Sequence, residues 1–382
     1  MCRTPWLLAL CLLAGGCTWI SGGDSGVKPA ELADIQSSVA VAKVWEARVG
    51  KGTGGAFVEL VPATAGERVY AASHDGVVTA LNAASGSTLW QVNTKLPITA
   101  GVGLGEGLVL VGSAKGQVLA LRQDDGAEVW RARVSSEVLA PPRAADGVVV
   151  VRTGDGRLTG LDAATGTQRW VYSYTVPLLT LRGSAPPLLG QGMAIIGLDT
   201  GRLLVLSLRD GVPVWEKVIS PPRGRTELER LVDIDAEPRI AGGVLYVAAY
   251  QGNLTAIDLR NGSTLWSRNL SAYAGLDADR QGVYISAADD VVWALDRLSG
   301  QVLWKQEGLA GRRLSAPVAT GNYVVVGDFE GYLHWLGKDD GRIVGRAQST
   351  DEGVAAAPIA EGNLLYVLGK DGRLSAFEIG GS

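Results

Sequence analysis

A unit written roughly Asp-Gly-x-Val-x-Ala-Leu-Asp-x-x-Thr-Gly-x-x-x-Trp recurs eight times along the 382 residues, and a repeat restricts the fold more than any single residue can. It appears as DGVVTALNAASGSTLW (75–90), KGQVLALRQDDGAEVW (115–130), DGRLTGLDAATGTQRW (155–170) and TGRLLVLSLRDGVPVW (200–215). It continues as QGNLTAIDLRNGSTLW (251–266), DDVVWALDRLSGQVLW (289–304), EGYLHWLGKDDGRIVG (330–345) and a truncated DGRLSAFEI (371–379). The period of about forty residues is that of a four-stranded propeller blade.

Within a unit the side chains alternate, Val77, Thr79 and Leu81 against Val78, Ala80 and Asn82, which is the period of a strand. The Gly-containing turn that follows tolerates positive φ and returns the chain into a second strand ending in Trp. A Trp buries roughly 150–250 Å², at most about 4–6 kcal/mol per position, so one ring per unit predicts a wedge between blades. The eighth unit lacks a Trp strand, while KVWEARV (43–49) is a Trp strand with no unit before it. Pairing the two closes the ring and hides both edges. The expected fold is therefore all-β, an eight-bladed propeller of four-stranded antiparallel blades over 43–382. Gly345 stands in the seventh Trp slot, which predicts a less well wedged blade.

With 19% charged residues, 47% hydrophobic residues and 52 glycines, the composition suits many short strands and tight turns. Arg3, the apolar stretch from Trp6 to Leu13 and the small residues before Cys17 predict a lipoprotein signal over 1–16, with Cys17 lipidated. The apolar run is too short for a membrane-spanning helix, which needs about 20 residues. Residues 17–42 are then expected to be the lipidated Cys and a flexible tether. Thr18 after the Cys, where Asp would signal retention, predicts the periplasmic face of the outer membrane. Cys2 and Cys11 fall in the removed segment, so the mature chain holds neither a disulfide nor a Cys metal site.

Little else suggests chemistry. Gly23-Asp24-Ser25-Gly26 mimics a serine-protease motif but sits in the tether, with only His74 and His334 available as a base. The two histidines read as turn and core residues. GVGLGEG (101–107) lacks dinucleotide-binding spacing and reads as a turn between strands. A net charge of −4 without any Lys/Arg cluster argues against nucleic acid as a partner.

The Ala-x-Asp-x-x-Thr-Gly-x-x-x-Trp core resembles the repeat of the pyrroloquinoline quinone (PQQ) dehydrogenases, which implies the propeller fold. Those enzymes use a vicinal Cys pair and calcium, and the mature body here has no Cys, so no enzymatic activity, cofactor or metal is expected. A closer resemblance joins the repeat and signal to PLLTLRGSAP (177–186), ERLVDIDAEP (229–238) and VVVGDFEGYLHW (324–335). Together these are similar to the propeller lipoprotein family of the outer-membrane β-barrel assembly machinery. That resemblance implies a non-enzymatic scaffold that binds the periplasmic POTRA domains of BamA and assists outer-membrane protein insertion. It also implies that Leu179, Leu181, Arg182, Asp233 and Asp235 make the contact. A dehydrogenase-like or glycan-binding propeller is the alternative, though the repeat Trp residues occupy strand positions rather than loops.

Spacing points to the same place. From the closing Trp of one unit to the Pro that opens the next takes 11 residues between Trp130 and Pro141 and 13 between Trp304 and Pro317. It takes 16 from Trp170 to Pro186 and 23 from Trp215 to Pro238. Two adjacent long connections on one face of a rigid ring predict a binding site. Leu178, Leu179 and Leu181 would be apolar anchors beside the Arg182 guanidinium, with Asp233 and Asp235 orienting it or meeting a basic partner. The other reading of the same residues has the leucines filling the core and Arg182 paired internally. PPRGRTELER (221–230) could be an insertion with no partner.

Overall fold

The computed structural model describes residues 28–35, 37–181, 185–272, 274–354 and 356–379. The expected signal segment, Cys17 and Arg182 lie outside these residues.

Eight antiparallel sheets form a ring, seven of them with their strands in chain order from the inside outward. Blade one is Ala63–Ala65, Arg68–Ala72, Val77–Asn82 and Thr88–Asn93, and six more blades repeat the plan along the chain. Blade three begins at Arg143–Ala145, blade four at Leu188–Gly190, blade five at Arg239–Ala241 and blade seven at Val318–Thr320. Blade eight takes three strands from the C-terminal repeat and its outer strand, Val41–Arg48, from the other end of the chain. Val41 stands opposite Ile379 and Arg48 opposite Arg373, so the ring closes by the pairing expected from the repeat. Blade two carries one addition, the short Glu59–Leu60, which lies parallel to its inner strand Ile98–Gly105.

The repeat motif has a physical reading in this structure. Asp162 Oδ1 accepts the Ala164 N–H at 3.0 Å and the Thr165 N–H and hydroxyl at 2.9 Å each, which makes the turn. Gly166 follows at φ +71°. Its missing Cβ also leaves room for Trp130 of the preceding blade, whose ring would stand 2.7 Å from that atom. Trp130 in turn donates its indole N–H to the carbonyl of Ala163 at 2.8 Å. The same bond joins Trp45 to Ala83, Trp90 to Gln123, Trp170 to Leu208, Trp266 to Arg297 and Trp304 to Lys338, at 2.6–3.0 Å. Asp, Gly and Trp thus recur because each blade's ring caps the next blade's turn.

Two seams depart from the pattern. Trp215 of blade four is only half-buried, and a Cβ at its counterpart Gly262 would meet nothing within 4 Å, so this seam is the open one. Blade seven, expected to be poorly wedged at Gly345, is filled from another strand. Trp335 is fully buried and meets Phe377 of blade eight edge-on at 6.2 Å between centroids. The physical reason is topological: the last two strands of blade eight come from opposite ends of the chain, so no tight turn joins them for an indole to cap.

Residues 28–35 and 37–40, expected as part of a flexible tether, are instead strapped along the outside of blade seven. Ala30 N–H donates to Ala310 O at 2.9 Å, and Ser38 N–H to Val344 O at 3.0 Å. Arg312 and Arg346 donate to the carbonyls of Ala30 and Ala33, both at 3.0 Å, and Leu32 packs on the apolar cluster around Trp304. Beneath the strap lies a buried charge cluster. Arg312 Nε donates to Asp328 Oδ2 at 2.8 Å, and His334 Nε2 stands 3.0 Å from the same oxygen. Arg346 Nε donates to His334 Nδ1 at 3.3 Å, which makes Nδ1 the acceptor and Nε2 the protonated nitrogen of a neutral ring. Burial lowers the His334 pKa against the opposing pull of Asp328. His334 is therefore a core residue, as expected, but one that helps to fix the strap.

Candidate protein-interaction surface

In an up-and-down blade, the turns between second and third strands and the connections from each outer strand to the next blade share one face. The described residues of the two long connections, 174–181 and 185–187 after blade three and 219–238 after blade four, emerge there side by side. A channel mouth of about 910 Å³ opens at the centre of this face, with Phe57, Leu181, Asp235, Tyr250, Arg313 and Lys370 in its lining. A second cavity of about 310 Å³ lies along the channel, and Asp235 borders both.

On the first connection Leu178 is 94% exposed and Leu179 42%, while Leu181 is half-buried. Exposed leucines at the tip and a buried base are what a preformed anchor requires. Leu178, which the spacing argument named as an anchor and the family resemblance left out of the contact set, is the most exposed of the three. On the second connection residues 221–230 are all exposed, including Leu228 at 63%. They are not shapeless: Glu229 accepts the N–H groups of Arg225 and Thr226 at 2.7 and 3.1 Å, and Thr226 Oγ1 accepts the Glu229 N–H at 3.2 Å. Those two amides hold the Glu229 carboxyl below its ordinary pKa.

From Leu231 to Ala236 the same connection turns inward. Asp233 is 1% exposed, and its Oδ2 accepts the Leu181 N–H of the first connection. Asp233 is thus not a surface group that could meet a basic partner; it orients the backbone that carries the leucines. Burial pushes its carboxyl up to about 6, with Asp199 adding to the shift and the Leu181 amide and Arg152 opposing it. The sequence reading placed Asp233 on a loop beside the first connection, whereas Leu231, Val232, Asp233 and Ile234 are consecutively buried.

Two more features went unread in the sequence. Phe57 is 88% exposed at the channel mouth that Leu181 also lines, on a glycine-rich segment that carries no repeat signal. Arg152, on the second strand of blade three, is buried beneath both long connections. Among the described residues no group of three His, Cys, Asp or Glu side chains is placed to hold a metal ion.

The family model described as "Outer membrane protein assembly factor BamB" matches residues 42–97, 74–306 and 299–380. The chain belongs to the BamB family. It is 49% identical over 373 residues to the outer membrane protein assembly factor BamB of Pseudomonas aeruginosa, with 98% of each chain covered. The crystal structure of BamB from Moraxella catarrhalis superposes with a TM-score of 0.82 at 31% identity, over 89% of this chain and all of that one. The quinohemoprotein alcohol dehydrogenase of Comamonas testosteroni shares only 16% identity at a TM-score of 0.69 over 90% of this chain, a likeness of fold alone. The BamB family membership therefore covers the whole ring, including both long connections.

Proposed function

We propose that this protein is a non-enzymatic scaffold of outer-membrane protein assembly that docks, through the connections 174–187 and 219–238, onto the POTRA domains of BamA. Leu179 and Leu181, with Leu178 beside them, supply apolar anchors; Arg182 and Asp235 supply charge; Asp233 holds the loop that presents them. The observation that carries this reading is the bond from the Leu181 amide to buried Asp233, which joins the two connections under a pair of exposed leucines. A preorganised loop loses little conformational freedom on binding, so its apolar contacts convert into affinity.

Docking by strand addition is less favoured by the architecture. Outer strands are bulged just before the blade's Trp, as between Glu128 and Trp130 or between Lys43 and Trp45, and a bulge blunts an edge against pairing. In the same reading, residues 1–16 are removed, and Cys17 is lipidated and holds the ring at the periplasmic face of the outer membrane. The role is then to hold the BamA periplasmic array in place.

The test is recovery of BamA from mildly solubilised outer membranes by tagged wild type and by a Leu178→Asp/Leu179→Asp double variant. Recovery by wild type and loss in the variant, with an unchanged melting temperature, supports the interface. Equal recovery by both removes it from these loops.

A further inference from the structure

The geometry points to Arg152 as the positioning residue of this surface: a buried guanidinium on blade three that ties the first long connection to the second and holds both in one conformation. The inference rests on the loop-docking reading above for its functional consequence, though not for its structural content.

The first observation is where Arg152 sits in the repeat. It pairs with Leu158, the second residue of the third strand. The same register position in the other blades is Ala72, Gly112, Gly197, Ala248, Ser286, Gly327 or Leu368. Where the slot is a glycine, the connection above drops an aliphatic side chain onto it: Val138 over Gly112, Ile234 over Gly197 and Val354 over Gly327. The propeller is therefore built, seven times, with an uncharged residue here. A charge at this depth costs desolvation that an alanine would avoid, so stability alone does not account for it.

The second observation is what the guanidinium holds. Nη1 donates to Gly197 O at 2.8 Å, and Nη2 pairs with Asp199 Oδ1 in the turn of blade four. Asp199 Oδ2 accepts the hydroxyl of Tyr174 at 3.1 Å, and Tyr174 is where the first connection leaves its strand. On the other side, Leu198 O accepts the Ile234 N–H of the second connection at 3.3 Å. The charges facing the site from the second connection are Asp233 and Asp235, and both act on the guanidinium or feel it. Burial disfavours the Arg152 cation, and Asp199, Tyr174 and Asp235 outweigh it, so the group is held charged. One side chain thus reaches Tyr174 at the root of the first connection, through Asp199, and acts through space on the carboxylates of the second. Asp233 on the Leu181 amide and Ile234 on the Leu198 carbonyl, beside the carboxylate that Arg152 grips, join the two connections to the same turn.

The experiment compares wild type, Arg152→Ala and the Arg152→Ala/Asp199→Asn double variant by amide hydrogen exchange, melting temperature and affinity for the purified BamA periplasmic domains. Ala is the residue two other blades carry in this slot. The double variant also removes the carboxylate that Arg152 pairs with, should the single variant fail to fold. Expected are folded rings in which exchange rises about tenfold or more at 177–181 and 231–235 while the other blades keep their protection. Affinity should fall about tenfold, with the solvent-facing leucines untouched. Unchanged exchange in both segments of a folded variant overturns the inference. Leu178→Asp separates the two claims, since it should abolish binding without altering exchange. If wild type itself does not bind, the docking reading fails and the exchange data still decide the role of Arg152.

Discussion

The indole of Trp266 rests directly on Gly300, so that a Cβ at that glycine would stand 2.6 Å from the ring carbon Cδ2. Across the preceding seam, Gly262 has nearly the same backbone, φ +71° against +69°, but no ring within 4 Å. The pair separates two costs that usually arrive together. Gly262→Ala should cost only the left-handed backbone, about 1–2 kcal/mol. Gly300→Ala must also displace the indole, adding about 1–3 kcal/mol. Urea unfolding of both variants measures the difference, and equal losses would mean that the ring contact contributes nothing.

That contrast marks how far the sequence could be read. Blade number, closure and the hairpin turns follow from Asp, Gly and Trp at fixed spacing, because each of those residues acts on its own blade or the adjacent one. Trp215 has the same spacing, yet nothing in the pattern tells that its seam stays open. The strap at 28–40 was illegible for a different reason: it is held mainly through its own backbone carbonyls and amides, which every residue has. Burial of Asp233 depends on how two distant connections fold over each other. Arg152 was legible in principle, since aligning the second strands puts one arginine among small or aliphatic residues.

Closure of the ring makes its own prediction. Trp45 donates to Ala83 O at 2.9 Å and lies 5.8 Å from the Tyr366 ring, so it pins the N-terminal strand to blades eight and one. Trp45→Ala should cost about 3–5 kcal/mol. Hydrogen exchange should show that the loss opens Val41–Arg48 first, because this strand alone completes its blade from the far end of the chain. Uniform loss of protection in all blades would contradict this.

The strap can be released by degrees. Arg346 reaches Ala33 O from a half-exposed position, so Arg346→Ala should speed proteolysis within 28–40 at a cost of only about 1 kcal/mol, that of the lost bond to His334 Nδ1. Arg312 differs, because its side chain is 4% exposed against a fully buried Asp328. Removing it strands that carboxylate, and Arg312→Met should cost about 3–5 kcal/mol as well as freeing the strap. Limited proteolysis combined with thermal denaturation distinguishes the two; equal stability losses would refute the division of roles.

Asp233 gives the interface a pH signature whose sign is opposite to that of a salt-bridged carboxylate. Its folded pKa of about 6 lies above the ordinary 3.8, so the folded state takes up the proton before the unfolded chain does. Stability from this group therefore rises as pH falls through about 6, and the gain is complete below about 4. At pH 7.5 the ionised carboxylate is a cost that orientation of Leu181 requires. Asp233→Asn retains an oxygen to accept the Leu181 amide without the buried charge. It should be about 1–2 kcal/mol more stable than wild type at pH 7.5, after allowing for screening and lost attraction to Arg152. That advantage should vanish by about pH 4, where the wild-type carboxyl is itself neutral. Chemical denaturation of the two proteins across this range checks both the sign and the midpoint, and a variant less stable at every pH would mean that the charge, rather than the acceptor oxygen, is what the loop needs.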